Sequence, residues 1–250
     1  MCGAVPSCLE SGFPGEGDSA YTRGVSPRAV FPTLYPILDA GVLSQDPTLR
    51  RGELLRLVRC VVDAGVTILQ YRNKQDTDTQ VLEDARWIRD AAGPEPTLIL
   101  NDRVHLVEQA AFDGVHVGQH DMTPAEARRI LGPDRVLGIS THNPDQVAAV
   151  ADAAVDYIAI GPVFATASKQ NPDPVVGLEG VRTARQRTQK PLVAIGGITP
   201  QTALAVMEAG ADSVAVISAI FGTGLGAERG PAIAPEQAGK NAKDFLRLFR

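Results

Sequence analysis

Apolar residues along this chain fall into short unbroken runs, separated by longer stretches in which they recur three and four positions apart. Thr97-Leu98-Ile99-Leu100 is one such run, led in by Gly93-Pro94-Glu95-Pro96 and halted at Asn101-Asp102. A run that is apolar at every position reads as a strand buried on both faces, as in a parallel sheet; a half-exposed strand would alternate. The same reading applies to Thr33–Asp39, Val66–Arg72, Gly114–Val117, Arg135–Ile139, Asp156–Ile160, Pro191–Ile195 and Ser213–Ile217. Between them lie helical spacings. Leu54, Leu57, Val58, Val61 and Val62 share one face of a helix expected from Leu49 to Ala64, stopped by Gly65. A second helix is expected from about Thr77 to Ala92. Thr123-Pro124, Asn143-Pro144 and Thr199-Pro200 each pair an N-cap with a proline at the first helical position. Further helices are expected from near Asp102, from Leu178, and from Lys240 to Phe249.

Strands alternating with helices throughout predict an α/β fold, a single-domain (β/α)8 TIM barrel. An open doubly wound sheet would bring a Gly-x-Gly-x-x-Gly turn after its first strand, and none is present. The length of 250 residues suits one barrel. Residues 1–30 are rich in Gly, Ser and Pro and lack periodicity, so a disordered N-terminal extension is expected there, with the barrel over 31–250.

Composition narrows the function. The net charge of −5, from 24 basic and 29 acidic residues mixed along the chain, leaves no nucleic-acid footprint. No apolar run approaches the roughly 20 residues that span a bilayer. Met1 to Ala20 has no apolar stretch and carries Glu10, Glu16 and Asp18, unlike a secretory signal. Cys2, Cys8 and Cys60 make no disulfide framework, and Cys60 falls in a helical pattern where a small buried thiol is expected. A cytoplasmic protein acting on small molecules is expected, and association into a homo-oligomer is compatible with all of this.

In such barrels the chemistry sits at the C-terminal ends of the strands. Read in order, those ends carry Gln70-Tyr71-Arg72-Asn73-Lys74, Asn101-Asp102, Gly118-Gln119-His120-Asp121, Ser140-Thr141-His142, the long segment Gly161 to Lys169, Gly196-Gly197-Ile198 and Ile217-Ser218. Arg72, Lys74 and Lys169 are cations, and Asp102 and Asp121 carboxylates, aimed at one mouth. Each set repels itself unless answered by opposite charge. A phosphorylated substrate held through Mg2+ answers both, since that ion is commonly bound by one or two carboxylates plus substrate phosphates. Gly196-Gly197 and Ser218 lie where this fold usually cradles a monophosphate.

Every one of these residues also has a plainer use. Asp102 could cap the helix expected after it, and Asp121 could precede the helix at Thr123. Arg72, Lys74 and Lys169 could be solvated loop charges. The four histidines are expected in structural or solvated roles, and no Ser-His-Asp order or cysteine nucleophile stands out.

Taken together, these motifs resemble the thiamine-phosphate synthase family over about residues 33 to 221. The resemblance rests on Gln70–Lys74, Asn101-Asp102, Gly114–Asp121, Gly138–His142, Gly161–Lys169, Gly196–Ile198 and Val216–Ile220. It implies the same barrel and an enzyme that joins a pyrimidine diphosphate to a thiazole phosphate with release of pyrophosphate. Gln70, Tyr71, Arg72, Asn73, Lys74, Asn101, Ser140 and Lys169 would contact the pyrimidine diphosphate. Among these, Arg72, Lys74, Ser140 and Lys169 would be catalytic. Asp102 and Asp121 would hold Mg2+. Thr166, Ala167, Ser168, Gly197, Ile217 and Ser218 would bind the thiazole phosphate, with Ser168 standing where Thr is common in the family. Two rival readings on the same barrel are a thiazole-phosphate tautomerase, with His142 or His120 shuttling a proton, and a non-catalytic sensor of thiamine intermediates.

Overall fold

Eight parallel strands hydrogen-bond in chain order and close on themselves, β1 pairing with both β2 and β8. They are β1 Leu34–Asp39, β2 Ile68–Arg72, β3 Thr97–Asn101, β4 Gly114–Val117, β5 Val136–Thr141, β6 Tyr157–Ile160, β7 Leu192–Ile195 and β8 Ser213–Val216. The helices are α1 Pro47–Asp63, α2 Asp78–Ala92, α3 Pro124–Leu131, α4 Pro144–Val150, α5 Gly177–Arg187, α6 Pro200–Glu208, α7 Ser218–Phe221 and α8 Pro235–Leu248. A computed structural model describes residues 31–166, 173–223 and 233–250 of this chain. The extension over 1–30, with Cys2 and Cys8, lies outside the described residues.

Alternation along the strands sorts their side chains into two cores. One parity points into the barrel: Tyr35 and Ile37, Ile68, Ile99, Tyr157 and Ala159, Val193, and Ala215 pack together on the axis. The other parity, including Leu38, Leu69, Tyr71, Leu98, Leu100, Val115, Ile158 and Val214, packs outward against the helices. The expected burial of both strand faces is met, each face by a different layer.

Three Arg–Asp pairs repeat around the N-terminal rim. Arg89, Arg128 and Arg185 on α2, α3 and α5 reach Asp113, Asp156 and Asp212, just ahead of the next strands. Each carboxylate also accepts from the first or second backbone N–H of a neighbouring strand: Leu98, Leu137 and Leu192, at 2.7, 2.7 and 2.8 Å. This face holds the barrel together and leaves the opposite one to chemistry.

Two helices depart from expectation. No regular helix follows Asp102; the chain makes a tight turn, with Arg103 N donating to Asn101 O at 2.8 Å, then a single 3-10 turn over Val104–Leu106. Asp102 itself sits at φ +62°, the left-handed region, from which no helix can be continued. The final helix begins earlier than Lys240, at Pro235, where a proline at the first helical position loses no hydrogen bond. Cys60, on α1, is partly exposed rather than buried, and partial desolvation with Glu236 and Asp63 nearby raises its thiol pKa. Among the described residues no helix is long and apolar enough to cross a membrane.

Candidate active site

The C-terminal mouth of the barrel opens into a cavity of about 320 Å³. Its floor is the top of the axial core: Ile37, Ala159, Val193, Ile195, Ala215 and Ile217. Polar groups from β2 to β5 line one wall. Gln70 and Arg72 come from β2, Asn101 and Asp102 from the end of β3, His116 from β4, and Ser140 from β5. Lys74, Gln119, His120, Asp121, His142 and Asp173 complete the rim, while Thr166, Gly197 and Ser218 line the opposite side.

Strand parity decides which of the expected residues arrive. In Gln70-Tyr71-Arg72-Asn73-Lys74, the first, third and fifth face the cavity. Tyr71 and Asn73 do not line it; they point outward and are buried between the barrel and its helices. There they join a polar cluster. Arg50 on α1 donates from Nε to Asp84 Oδ1 at 3.1 Å and from Nη2 to Asp84 Oδ2 at 2.6 Å. The Tyr71 hydroxyl donates to Asp84, and Asn73 Nδ2 donates to Tyr71 Oη at 3.0 Å and to Asp76 Oδ2 at 2.9 Å. Asn73 Oδ1 in turn accepts from the N–H of Asp76 at 3.0 Å. The bend carrying Arg72 and Lys74 is therefore clamped from behind. Arg103 closes the clamp by donating to the carbonyl of Asp76 at 2.6 Å.

The charged groups form a chain around the mouth. Arg72 pairs with Asp39, its register partner on β1, a carboxylate that stands at a strand end in the sequence but is absent from the expected set. Lys74 Nζ lies 2.8 Å from Asp102 Oδ2. The Asp102 and Asp121 carboxylates are within hydrogen-bonding reach of one another; burial, and then Asp121, raise the pKa of Asp102 against the opposing pull of Lys74. Neither acid caps a helix. Thr123 caps α3, and Asp121 accepts from Gly118 N at 2.8 Å.

Two adjacent carboxylates, one of them paired with Lys74, suit a divalent cation. Among the described residues no cluster of three or more His, Cys, Asp or Glu could hold a metal alone. Such a pair fits Mg2+, which takes its other ligands from phosphate and water. Beside it, the Nδ2 of Asn101 is buried without a hydrogen-bond partner among the described residues, a donor in need of an acceptor from a ligand.

Histidines play a larger part than the sequence suggests, since His116, His120 and His142 all line the cavity. His116 is 8 % exposed; its Nε2 is 2.7 Å from Ser140 Oγ and its Nδ1 is 2.9 Å from Tyr157 Oη. Burial lowers its pKa to about 4, so the ring is neutral. The ring of His142 is anchored by its Nδ1, which donates to Gly161 O at 2.9 Å. The only sequence signal for His116 is its inward parity, two residues before Gly118 on β4. On the far side, Gly197 adopts φ +64°, and a β carbon there would lie 2.4 Å from Ala165 O, so only glycine permits this approach. Ala167, Ser168 and Lys169, all expected at the site, lie outside the described residues.

Comparison with known proteins bears on the whole barrel. The model of the thiamine monophosphate synthase family matches residues 34–220. The chain is 52 % identical over 187 residues to a thiamine-phosphate synthase of Koribacter versatilis, covering 75 % of this chain and 88 % of that protein. It is 43 % identical over 190 residues to one from Chloroflexus aurantiacus, covering 75 % and 84 %. Among solved structures, thiamine phosphate pyrophosphorylase from Pyrococcus furiosus superposes with a TM-score of 0.71 at 27 % identity, covering 86 % of this chain and 94 % of that one.

Proposed function

The chain belongs to the thiamine monophosphate synthase family, and from that premise we propose that it condenses 4-amino-2-methyl-5-(diphosphooxymethyl)pyrimidine with 4-methyl-5-(2-phosphoethyl)thiazole, or its carboxylated form, giving thiamine phosphate and pyrophosphate, with carbon dioxide also released from the carboxylated form. The observation that carries this reading is the facing pair Asp102 and Asp121, with Lys74 against Asp102, on the rim of a cavity with an apolar floor. The pair has no packing purpose and suits a cation-bridged diphosphate.

Each side chain then has a task. Arg72, Lys74 and Lys169 lie against the diphosphate and oppose the negative charge that grows on it as its bond to the pyrimidine methylene breaks. Asn101 donates its unpartnered Nδ2 to the same group, and Ser140 contacts it from β5. Gln70 orients the pyrimidine against the apolar floor. Asp102 and Asp121 hold Mg2+, which when bound acts as Lewis acid and template for the leaving pyrophosphate. Gly197, Ile217 and Ser218, with Thr166 and Ser168, seat the thiazole phosphate on the opposite side. The dissociative departure leaves a methylene cation conjugated with the electron-rich aminopyrimidine. The thiazole nitrogen attacks with its own lone pair, so no protein base is needed. A reducing cytosol suits an enzyme of this kind with an unpaired thiol at Cys60.

The test is pyrophosphate release from purified protein. It is expected only when both phosphorylated heterocycles and Mg2+ are supplied. A tautomerase would convert the thiazole phosphate alone, and a sensor would bind without turnover; either result would replace this reading.

A further inference from the structure

A polar chain runs from Gln70 to Ser140 through the barrel's axis; Gln70, Tyr35, His116 and Ser140 line the cavity, and Tyr157 does not. Gln70 Nε2 donates to Tyr35 Oη at 3.0 Å; Tyr35 Oη is 2.8 Å from Tyr157 Oη; Tyr157 Oη is 2.9 Å from His116 Nδ1; His116 Nε2 is 2.7 Å from Ser140 Oγ. Tyr35 and Tyr157 are fully buried. Space for the Tyr157 ring exists because β5 carries Gly138, where a β carbon would lie 2.0 Å from its Cζ.

Each hydroxyl in this chain has one hydrogen, so with the hydrogens of Tyr35 and Tyr157 kept within the chain a single donor fixes every bond after it. Because the Gln70 amide donates to Tyr35, the Tyr35 hydrogen goes to Tyr157. The Tyr157 hydrogen then goes to His116 Nδ1, and the ring must carry its own hydrogen on Nε2, donated to Ser140 Oγ. Ser140 is left with a hydroxyl hydrogen that nothing in the chain accepts, on a side chain lining the cavity.

We propose that Tyr35, Tyr157 and His116 are positioning residues that fix Ser140 as a hydrogen-bond donor toward the ligand, selecting an acceptor such as a diphosphate oxygen. Run the other way, the same chain would draw the Ser140 hydrogen onto His116 and present a lone pair, which repels an anion. The identity of the ligand rests on the proposed function, whereas the direction of the chain does not.

The direction can be read without substrate. In the full-length protein labelled with 15N-histidine, a long-range 1H–15N spectrum near neutral pH reports the tautomer of each ring, and His116→Asn identifies the signals of His116. The Nε2–H tautomer is expected. An Nδ1–H ring, or a mixture of the two, would overturn the proposal whether or not the enzyme turns over. A second measurement reads the consequence. In Tyr157→Phe the fixed tautomer should be lost, and binding of inorganic pyrophosphate with Mg2+ should weaken about tenfold, the scale of one charge-assisted hydrogen bond. Affinity for the thiazole phosphate should stay within about twofold, since that ligand lies across the cavity from the chain. Equal weakening for both ligands would mark Tyr157 as merely structural. If Tyr157→Phe does not fold, the wild-type tautomer still decides.

Discussion

Lys74 Nζ sits 2.8 Å from Asp102 Oδ2, so the lysine expected to meet the leaving group is held by the carboxylate expected to meet the metal. A cation arriving at Asp102 and Asp121 would compete for that carboxylate and release Lys74 toward the diphosphate. Asp102 is not tuned for the metal-free protein. Burial and Asp121 raise its pKa, so the folded chain binds this proton more tightly than the unfolded chain does. The sign follows: its contribution to stability falls as pH rises from the usual carboxylate range through the raised value. In its ionised form the acid costs the fold stability.

Asp102→Asn should therefore separate activity from stability. Turnover should drop by about a hundredfold or more, the scale of losing one preorganised electrostatic group. Thermal unfolding of the metal-free variant should come at no lower temperature than in the parent. A variant with unchanged turnover, or one that merely unfolds, would count against the metal assignment.

The clamp behind the β2 bend is a separate lever. Asp84 is wholly buried with Arg50 and the Tyr71 hydroxyl on its two oxygens. Removing one side of such a pair leaves an uncompensated buried charge, so Asp84→Ala should lower the unfolding free energy by about 3–5 kcal/mol in urea titrations. Replacing both charges, as Arg50→Met with Asp84→Leu, should recover a large part of that stability. Activity should not recover with it. Asp76, which Arg50 also holds at 2.8 Å, loses that partner in the double variant, and the bend carrying Arg72 and Lys74 keeps only its ties through Asn73 and Arg103.

How much of this was legible from the residues depended on the scale of the signal. Long apolar runs marked the eight strands because both faces of each are buried, and periodicity reports burial directly. Membership of the mouth was harder. Tyr71 and Asn73 lie inside the motif that names the family, yet parity turns them outward; counting alternate positions from Gln70 would have found this. Asp102 allows two readings in the sequence, a helix cap or a metal carboxylate, and its left-handed backbone, with its N–H donating to His116 O on β4, is not encoded locally. The relay through Tyr35, Tyr157 and His116 joins three strands far apart in the chain. Only the closed barrel brings them together.

His116 offers a pH test with a definite sign. Burial lowers its pKa to about 4 in the folded chain, against an ordinary value of 6.5. Between those values the unfolded chain binds a proton that the folded chain refuses, so unfolding is favoured increasingly as pH falls. The ring's contribution is fully present above the ordinary value, declines through that window, and levels off below about 4. A shift of this size corresponds to a loss on the order of 3 kcal/mol across the window. Other groups titrate there too, so the useful quantity is a difference. The unfolding free energy of the parent minus that of His116→Gln, measured by denaturant titration at successive pH values, should shrink as pH falls from neutral and should grow at no step. Parallel curves for the two proteins would show that His116 is no more buried when folded than when unfolded, and the neutral ring beneath Ser140 would have to be abandoned.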